Sequence, residues 1–282
     1  MKALVRSTLD PAGMNIGSFL ERAVGFGPAG AFDGHDVMAW GEWRLVTTDA
    51  PLITDERIDD RVAGALGEAP EMVVFLSRHR SESGARSLTV HPPGNHGEAE
   101  FGGEPRTLAP AAPHAMTTAL RRLRDHARGL DYPVSFEVTH HGPALLTPAF
   151  FIEIGSGEGE WRDPAAGAAV AAAVHDVMRC VDVSPVVLVG VGGGHYAPRF
   201  TDLAVGRRVS FGHMVPSYHM EAFDAGMLGR AIAASGADGV YVHRKGLSGA
   251  QRESVRDAAA ELGIRTFREA DLEPMETQGR SR

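Results

Sequence analysis

The chain has 282 residues, 43% of them hydrophobic, and a formal net charge of −8, enough to bury a core of ordinary size. The acidic balance argues against sequence-independent binding to long nucleic acid, DNA included, which depends on phosphate neutralisation by lysine and arginine. No apolar run reaches the roughly 18–20 residues of a membrane span, and Met1–Arg6 lacks the apolar segment of a secretory signal, so a cytoplasmic protein with no membrane partner is expected.

Apolar spacing predicts a strand at Lys2–Arg6, a turn at Asp10-Pro11-Ala12-Gly13, and a helix from Asn15 to about Val24 with Ile16, Phe19, Leu20 and Ala23 on one face. A strand at Trp43–Thr48, a helix at Asp55–Leu66 and a continuous apolar strand at Met72–Ser77 follow. Ser87–His91 reads as a strand, 92–113 as a long irregular loop, and Pro113–Arg128 as a helix with Met116, Leu120 and Leu123 inward. Val134–Thr139 and Ala149–Ile154 are strands, and Pro164–Val181 is an alanine-rich helix opened by proline. The rest alternates: strand Val186–Val191, helix Met227–Ala234, strand Val240–His243, helix Ala250–Leu262, strand Arg265–Phe267. From Glu273 the chain is polar and expected to fray, with 276–282 as a flexible tail.

Short apolar runs separated by long helices indicate an α/β protein with a mostly parallel mixed sheet covered by helices on both faces. No linker cuts the chain, so 1–275 is expected to be a single α/β domain, or two intertwined subdomains, in a monomer. The lone Cys180, read as a buried residue at a helix end, cannot form an internal disulfide or a multi-cysteine zinc site. Any metal must use His, Asp or Glu.

Ligands of such sheets bind beyond the carboxyl ends of strands. Arg78 and His79, His91, His140 and His141, and His195 all fall at predicted strand ends, so four segments are expected to converge on one cleft. Gly190–Gly194 resembles a phosphate loop, but Tyr196-Ala197-Pro198 follows and no Gly-Lys-Ser/Thr is present. Those glycines are read instead as allowing close substrate approach beside His195. On an extended strand His140 and His141 would point to opposite faces, unless Gly142-Pro143 bends the chain. Glu153 lies inside an apolar strand and needs a cation or histidine partner. Glu137, Glu153 or Glu158 would fix the second ring nitrogen of a working histidine. Arg78-His79-Arg80-Ser81 is a dense basic cluster beside hydroxyls. His213 is a further candidate, whereas His35, His114, His126, His175 and His219 are taken as surface or packing residues. No Gly-x-Ser-x-Gly elbow supports a serine triad.

The runs Ser77-Arg78-His79-Arg80-Ser81-Glu82-Ser83-Gly84, Ser87-Leu88-Thr89-Val90-His91-Pro92-Pro93-Gly94-Asn95, Val138-Thr139-His140-His141-Gly142-Pro143, Glu153-Ile154-Gly155-Ser156 and Gly192-Gly193-Gly194-His195-Tyr196-Ala197-Pro198-Arg199 occur in this order. Together they resemble the archaeal and plant type of D-aminoacyl-tRNA deacylase, from Asp10-Pro11-Ala12 to Lys245-Gly246. The chain departs from that pattern at Gly157 and at His243-Arg244. The resemblance implies a phosphorylase/peptidyl-tRNA hydrolase-like fold, a zinc cofactor, and hydrolysis of the ester joining a D-amino acid to tRNA.

The residues and the resemblance together nominate His140, His141, His195 and Glu153 for catalysis. A subset of His79, His91, His140, His141, Glu158, His195 and His213 would hold zinc. Arg78, Arg80, Ser81, Asn95, Arg199 and Lys245 would bind the D-aminoacyl-tRNA, with a local basic patch offsetting the acidic chain. Two alternatives stay open: a zinc-dependent peptidase or amidohydrolase, and a non-catalytic binder of tRNA 3′ ends.

Overall fold

A computed structural model describes residues 1–275 apart from Ser83. The tail expected over 276–282 lies outside the described residues. The first half runs β1 (Lys2–Ser7), α1 (Pro11–Ala23), β2 (Gly27–Phe32), β3 (His35–Trp40), β4 (Trp43–Thr48), α2 (Ile58–Leu66), β5 (Met72–Arg80), β6 (Ser87–His91), α3 (Pro113–His126) and β7 (Val134–Phe136). The second half runs β8 (Ala149–Ser156), the single turn α4 (Glu158–Trp161), α5 (Pro164–Arg179), β9 (Val187–Val191), α6 (Pro198–Gly206), β10 (Ser210–Val215), α7 (Ala225–Ser235), β11 (Gly239–Val242), α8 (Gly249–Glu261) and β12 (Thr266–Phe267).

The strands form two sheets, ordered β2-β3-β4-β1-β5-β8-β6-β7 and β10-β9-β11-β12. Pairing is parallel throughout the second sheet. In the first it is parallel except at the β2-β3-β4 hairpins and between β6 and β8. The α/β class and the mostly parallel mixed pairing therefore agree with the sequence expectation, with the strands divided between two sheets.

Alternation along the central strands positions the site. Met72, Val74 and Leu76 of β5, with Phe150, Ile152 and Ile154 of β8, join the core that α1, α3 and α5 cover. Val73 and Phe75, with Ala149 and Phe151, point the other way, into the core containing Ile58 and Val62 of α2. Successive side chains of a strand take opposite faces, so Ser77 and His79 share the Val73–Phe75 face, and Glu153 shares that of Phe151. The same face that is apolar at the start of each strand becomes polar at its end. In the second sheet Val189, Val191 and Val240 pack against Leu228 of α7 and Val255 of α8.

Several boundaries differ from expectation for identifiable reasons. Helix α1 starts at Pro11 because the Asp10 carboxylate accepts from the N–H groups of Ala12 and Gly13. Residues 27–40, rich in Gly and Ala, form an unpredicted hairpin. Strand β5 runs on to Arg80 because His79 and Arg80 pair with Gly155 and Ser156 of β8. Regular pairing of β7 stops at Phe136, three residues short of expectation. Helix α6 opens at Pro198, so a helix does follow the glycine run after a short interval. Cys180 caps α5 but is exposed rather than buried. Glu273 and Met275 are tied down: Arg208 N–H donates to the Glu273 carbonyl at 2.8 Å and Met275 N–H to that of Gly206 at 3.0 Å.

Candidate active site at the junction of the two sheets

The segment after β7 stitches the sheets together. Glu137 N–H donates to the Val90 carbonyl at 3.0 Å, Val138 N–H to that of His195 at 3.0 Å, and Thr139 N–H to that of Met214 at 2.9 Å. Glu137 is thereby fixed between β6 and the loop that carries His195, and its side chain is fully buried.

Three imidazoles face its carboxylate. His79 Nδ1 lies 3.1 Å from Oε1. His195 Nε2 is 3.3 Å and His140 Nε2 3.6 Å from Oε2. Deeper in the cluster, Glu153 Oε2 sits 3.4 Å from His91 Nε2 and 3.9 Å from His79 Nδ1. His91 is fully buried, and its ring lies parallel to that of Phe151 with centroids 5.2 Å apart.

The consecutive histidines do not diverge. His141 adopts a positive φ of 48°, which turns the chain out of the extended path. Both rings then approach His91, with centroids 4.3 Å away for His140 and 4.9 Å for His141.

Backbone carbonyls orient these rings. The Nδ1 of His140 faces the Val138 carbonyl at 2.8 Å, that of His141 the Gly142 carbonyl at 2.7 Å, and that of His91 the Pro92 carbonyl at 3.3 Å. A carbonyl can only accept, so Nδ1 carries the proton in each and Nε2 presents a lone pair. His79 differs, using Nε2 toward the Tyr196 hydroxyl at 3.1 Å and Nδ1 toward Glu137.

The electrostatics divide the cluster. Burial pushes His91 down to about 4 and His141 to about 3, and holds His140 well below the usual imidazole range. Burial opposes ionisation of Glu137, yet His195, His79 and His91 bring it down to about 2. Glu153 goes the other way, raised well above the carboxylate range by burial and the Glu137 charge. His195 is raised: burial acts against protonation, but Glu137 outweighs it.

This donor set suits a metal ion. Both oxygens of Glu137 and Nε2 of His91 are buried without a hydrogen bond among the described residues, a costly state that a cation would relieve. His91, His140 and His141 form one group with mutually close donor atoms; His79, Glu137 and His195 form another, and His91, Glu137 and Glu153 a third.

A cleft of about 990 Å³ opens onto this cluster, lined in part by His79, His140, His141, Glu153 and His195. Arg78, Arg80 and Ser81 also line it, as do Ser77 and Ser156. Arg78 lies over the Trp161 ring, and its backbone N–H donates to Asp10.

Other nominated residues lie elsewhere. His213 is buried with Nδ1 3.0 Å from the Thr139 hydroxyl and Nε2 2.9 Å from the Ala109 carbonyl, so neither nitrogen is left for a metal. Glu158 is exposed at the cleft rim and paired with Arg162 at 3.0 Å, outside the three donor groups. Asn95 is buried, donating to the Gly102 and Glu104 carbonyls, and so braces its own loop. Arg199 and Lys245 line a second cavity rather than the histidine cleft. Gly192 and Gly193 back onto His243 and Leu247 instead of lining the cleft. The residue at the centre of the histidine cluster, Glu137, was read from the sequence only as one possible partner for a histidine. Its signal was the one recognised at Glu153, a carboxylate inside an apolar run.

A profile of the D-aminoacyl-tRNA deacylase family matches residues 66–267. The chain belongs to that family. A D-aminoacyl-tRNA deacylase of Thermococcus onnurineus is 36% identical over 274 residues, covering 95% of this chain and 100% of the relative. Relatives of the same name from Methanococcoides burtonii (38% identical, 97% of this chain) and Methanosphaerula palustris (43%, 86% of this chain) are longer. This chain spans 57% and 52% of their lengths. A crystal structure of a conserved protein of unknown function superposes with a TM-score of 0.90 at 34% identity, covering 97% of this chain and 96% of that one.

Proposed function

We propose that the histidine cleft hydrolyses the ester of a D-aminoacyl-tRNA, releasing the D-amino acid and free tRNA, with zinc as the resident metal. The observation that carries this reading is Glu137, a buried carboxylate with no hydrogen bond among the described residues, ringed by His79, His140 and His195. Membership of the deacylase family supports the choice of ester. In this reading the protein is a cytoplasmic monomer that clears tRNA charged with the wrong enantiomer.

His91, His140 and His141, held neutral with Nε2 free, or His79, Glu137 and His195 would hold the metal. Zinc, when bound, supplies Lewis acidity and lowers the pKa of water toward about 7. The chain's own groups do the rest. With the metal on His91, His140 and His141, the ionised Glu137 would be the group placed to accept the proton of water attacking the ester carbonyl. In that arrangement His195, partly exposed to the cleft and with raised proton affinity, would protonate the departing ribose oxygen as the acyl–oxygen bond breaks. No covalent nucleophile is needed, because an aminoacyl ester is already activated. Arg78 and Arg80 at the rim face the incoming 3′ end.

The test is turnover of D-aminoacyl-tRNA, L-aminoacyl-tRNA and free D-aminoacyl amides by protein assayed for metal content. Release from the D-ester supports the reading. Cleavage of amides with tRNA ignored would make the protein an amidohydrolase, and tight binding without release would make it a binder of tRNA ends.

A further inference from the structure

A second cavity of about 920 Å³ lies against β11, β12 and the start of α8. Its lining includes Arg199, His243, Arg244, Lys245, Arg252 and Arg268. On a chain of net charge −8 this is a concentrated basic surface. Its carboxylates are already engaged: Glu269 pairs with Arg199 and Arg207, and Glu253 with Arg256. Arg244, Lys245 and Arg252 make no ion pair with any carboxylate among the described residues. Arg252 is nonetheless held in place, donating to the carbonyls of Arg244 at 3.0 Å and Leu247 at 2.8 Å. The local field is visible at His243, which burial and the charges of Arg199 and Lys245 push below the usual imidazole range.

The cavity is coupled to the histidine cleft through the glycine loop. Gly192 and Gly193 have φ of 105° and 98°, and Gly193 N–H donates to the Gly246 carbonyl at 3.4 Å. A Cβ on Gly192 would come within 2.9 Å of Leu247 and 3.0 Å of the His243 carbonyl. The loop that presents His195 on one side thus rests on the basic ledge 243–247 with the other. Helix α6, which begins just after that loop, carries Arg199 into the cavity wall.

We propose that this cavity binds a backbone phosphate of the nucleic acid whose 3′ ester enters the histidine cleft, with Arg244, Lys245 and Arg252 as its cations. The inference rests on the deacylase reading and adds a second point of attachment to it. Two anchors on opposite sides of one loop fix the direction of the strand, whereas a single ester pocket does not. An acidic protein thereby holds a polyanion through one local patch.

The experiment compares wild type with the double variant Arg244→Ala/Lys245→Ala on two esters, D-aminoacyl-tRNA and D-aminoacyl-adenosine, which has no phosphate. The expected result is a roughly tenfold fall in the ratio of kcat/KM for tRNA over adenosine ester, carried by KM, with the salt dependence shallower by about one phosphate contact. Arg244→Lys/Lys245→Arg should restore the ratio. An unchanged ratio, or equal loss on both esters, would overturn the assignment. Filter binding of uncharged tRNA separates the two ideas. If neither ester is cleaved by wild type but the double variant still loses tRNA affinity roughly tenfold, the phosphate site stands and the hydrolytic reading falls. Equal tRNA affinity for both proteins would remove the phosphate site.

Discussion

His195 Nε2 lies 3.3 Å from Glu137 Oε2, across the line where the two sheets meet. Glu137 follows β7 of the first sheet, and His195 follows β9 of the second. The pair is therefore assembled by the docking of one sheet against the other.

Glu137→Gln removes the charge and keeps the shape. The expected outcome is a loss of deacylation of at least about 100-fold, the scale of positioned acid–base groups; with the metal on His79, Glu137 and His195 the variant also loses the thermal stabilisation that zinc gives wild type, and with the metal on His91, His140 and His141 it keeps it. Saturating metal at about 100 times its Kd stabilises by about 2.7 kcal/mol, so melting curves with and without zinc read the effect directly. A Gln variant that retains the zinc shift would remove Glu137 from the metal site.

Gly155 faces His79 across the β5–β8 ladder. A Cβ there would meet Ser87 Oγ at 2.5 Å, His79 Cδ2 at 2.9 Å and His79 Cβ at 3.2 Å. Gly155→Ala should cost about 1–3 kcal/mol as the core yields and lower activity by displacing His79. Gly159→Ala, where nothing lies within 4 Å, is the control. Urea titration and kcat/KM on both variants check this; matching behaviour would contradict it.

Tyr196→Phe deletes the hydroxyl that meets His79 Nε2 at 3.1 Å. Groups that orient a metal-binding histidine typically contribute about 10–100-fold to affinity, so zinc affinity should fall about tenfold with stability nearly kept. Chelator competition measures it, and unchanged affinity would place the metal away from His79.

Stability should decline in acid. Burial holds His96 down at about 3 and His213 at about 4. The unfolded chain takes up these protons near pH 6.5 and the folded chain does not, so stability is lost as pH falls from about 6.5 toward the folded values, by at most about 1.4 kcal/mol per pH unit for each. His91 and His141 act in the same direction. Glu137, depressed to about 2, contributes stability that is present above about pH 4.5 and is lost as pH falls through 2. Denaturant midpoints of metal-free protein between pH 7 and 5 test this. His213→Asn should flatten the slope; an unchanged slope would contradict the assignment.

Much of the site was legible because His79, His91, His140, His141 and His195 stand at strand ends among glycine, proline and hydroxyl residues, where side chains serve a cleft better than a core. Glu137 was harder to place. Its partners come from β5, the 139–141 turn and the 192–195 loop, and sequence spacing does not report that meeting. The split into two sheets was hidden for a related reason. Strand β10 contains Gly212 and His213, which weaken its apolar pattern, and its pairing with β9 is set by tertiary contacts. The 27–40 hairpin was missed because Gly27, Ala29, Gly30 and Ala31 have little intrinsic strand preference. Arg199 and Lys245 were read from the sequence as cations for the tRNA 3′ end, and only the fold separates their cavity from the histidine cleft.

The most direct test is the rate at which the metal-loaded protein deacylates matched D- and L-aminoacyl-tRNA carrying the same side chain. The predicted result is release of the D-amino acid at least about 100-fold faster than the L-enantiomer, a discrimination of about 2.7 kcal/mol, and its disappearance in Glu137→Gln. Equal rates for the two enantiomers, or full activity in that variant, would contradict it.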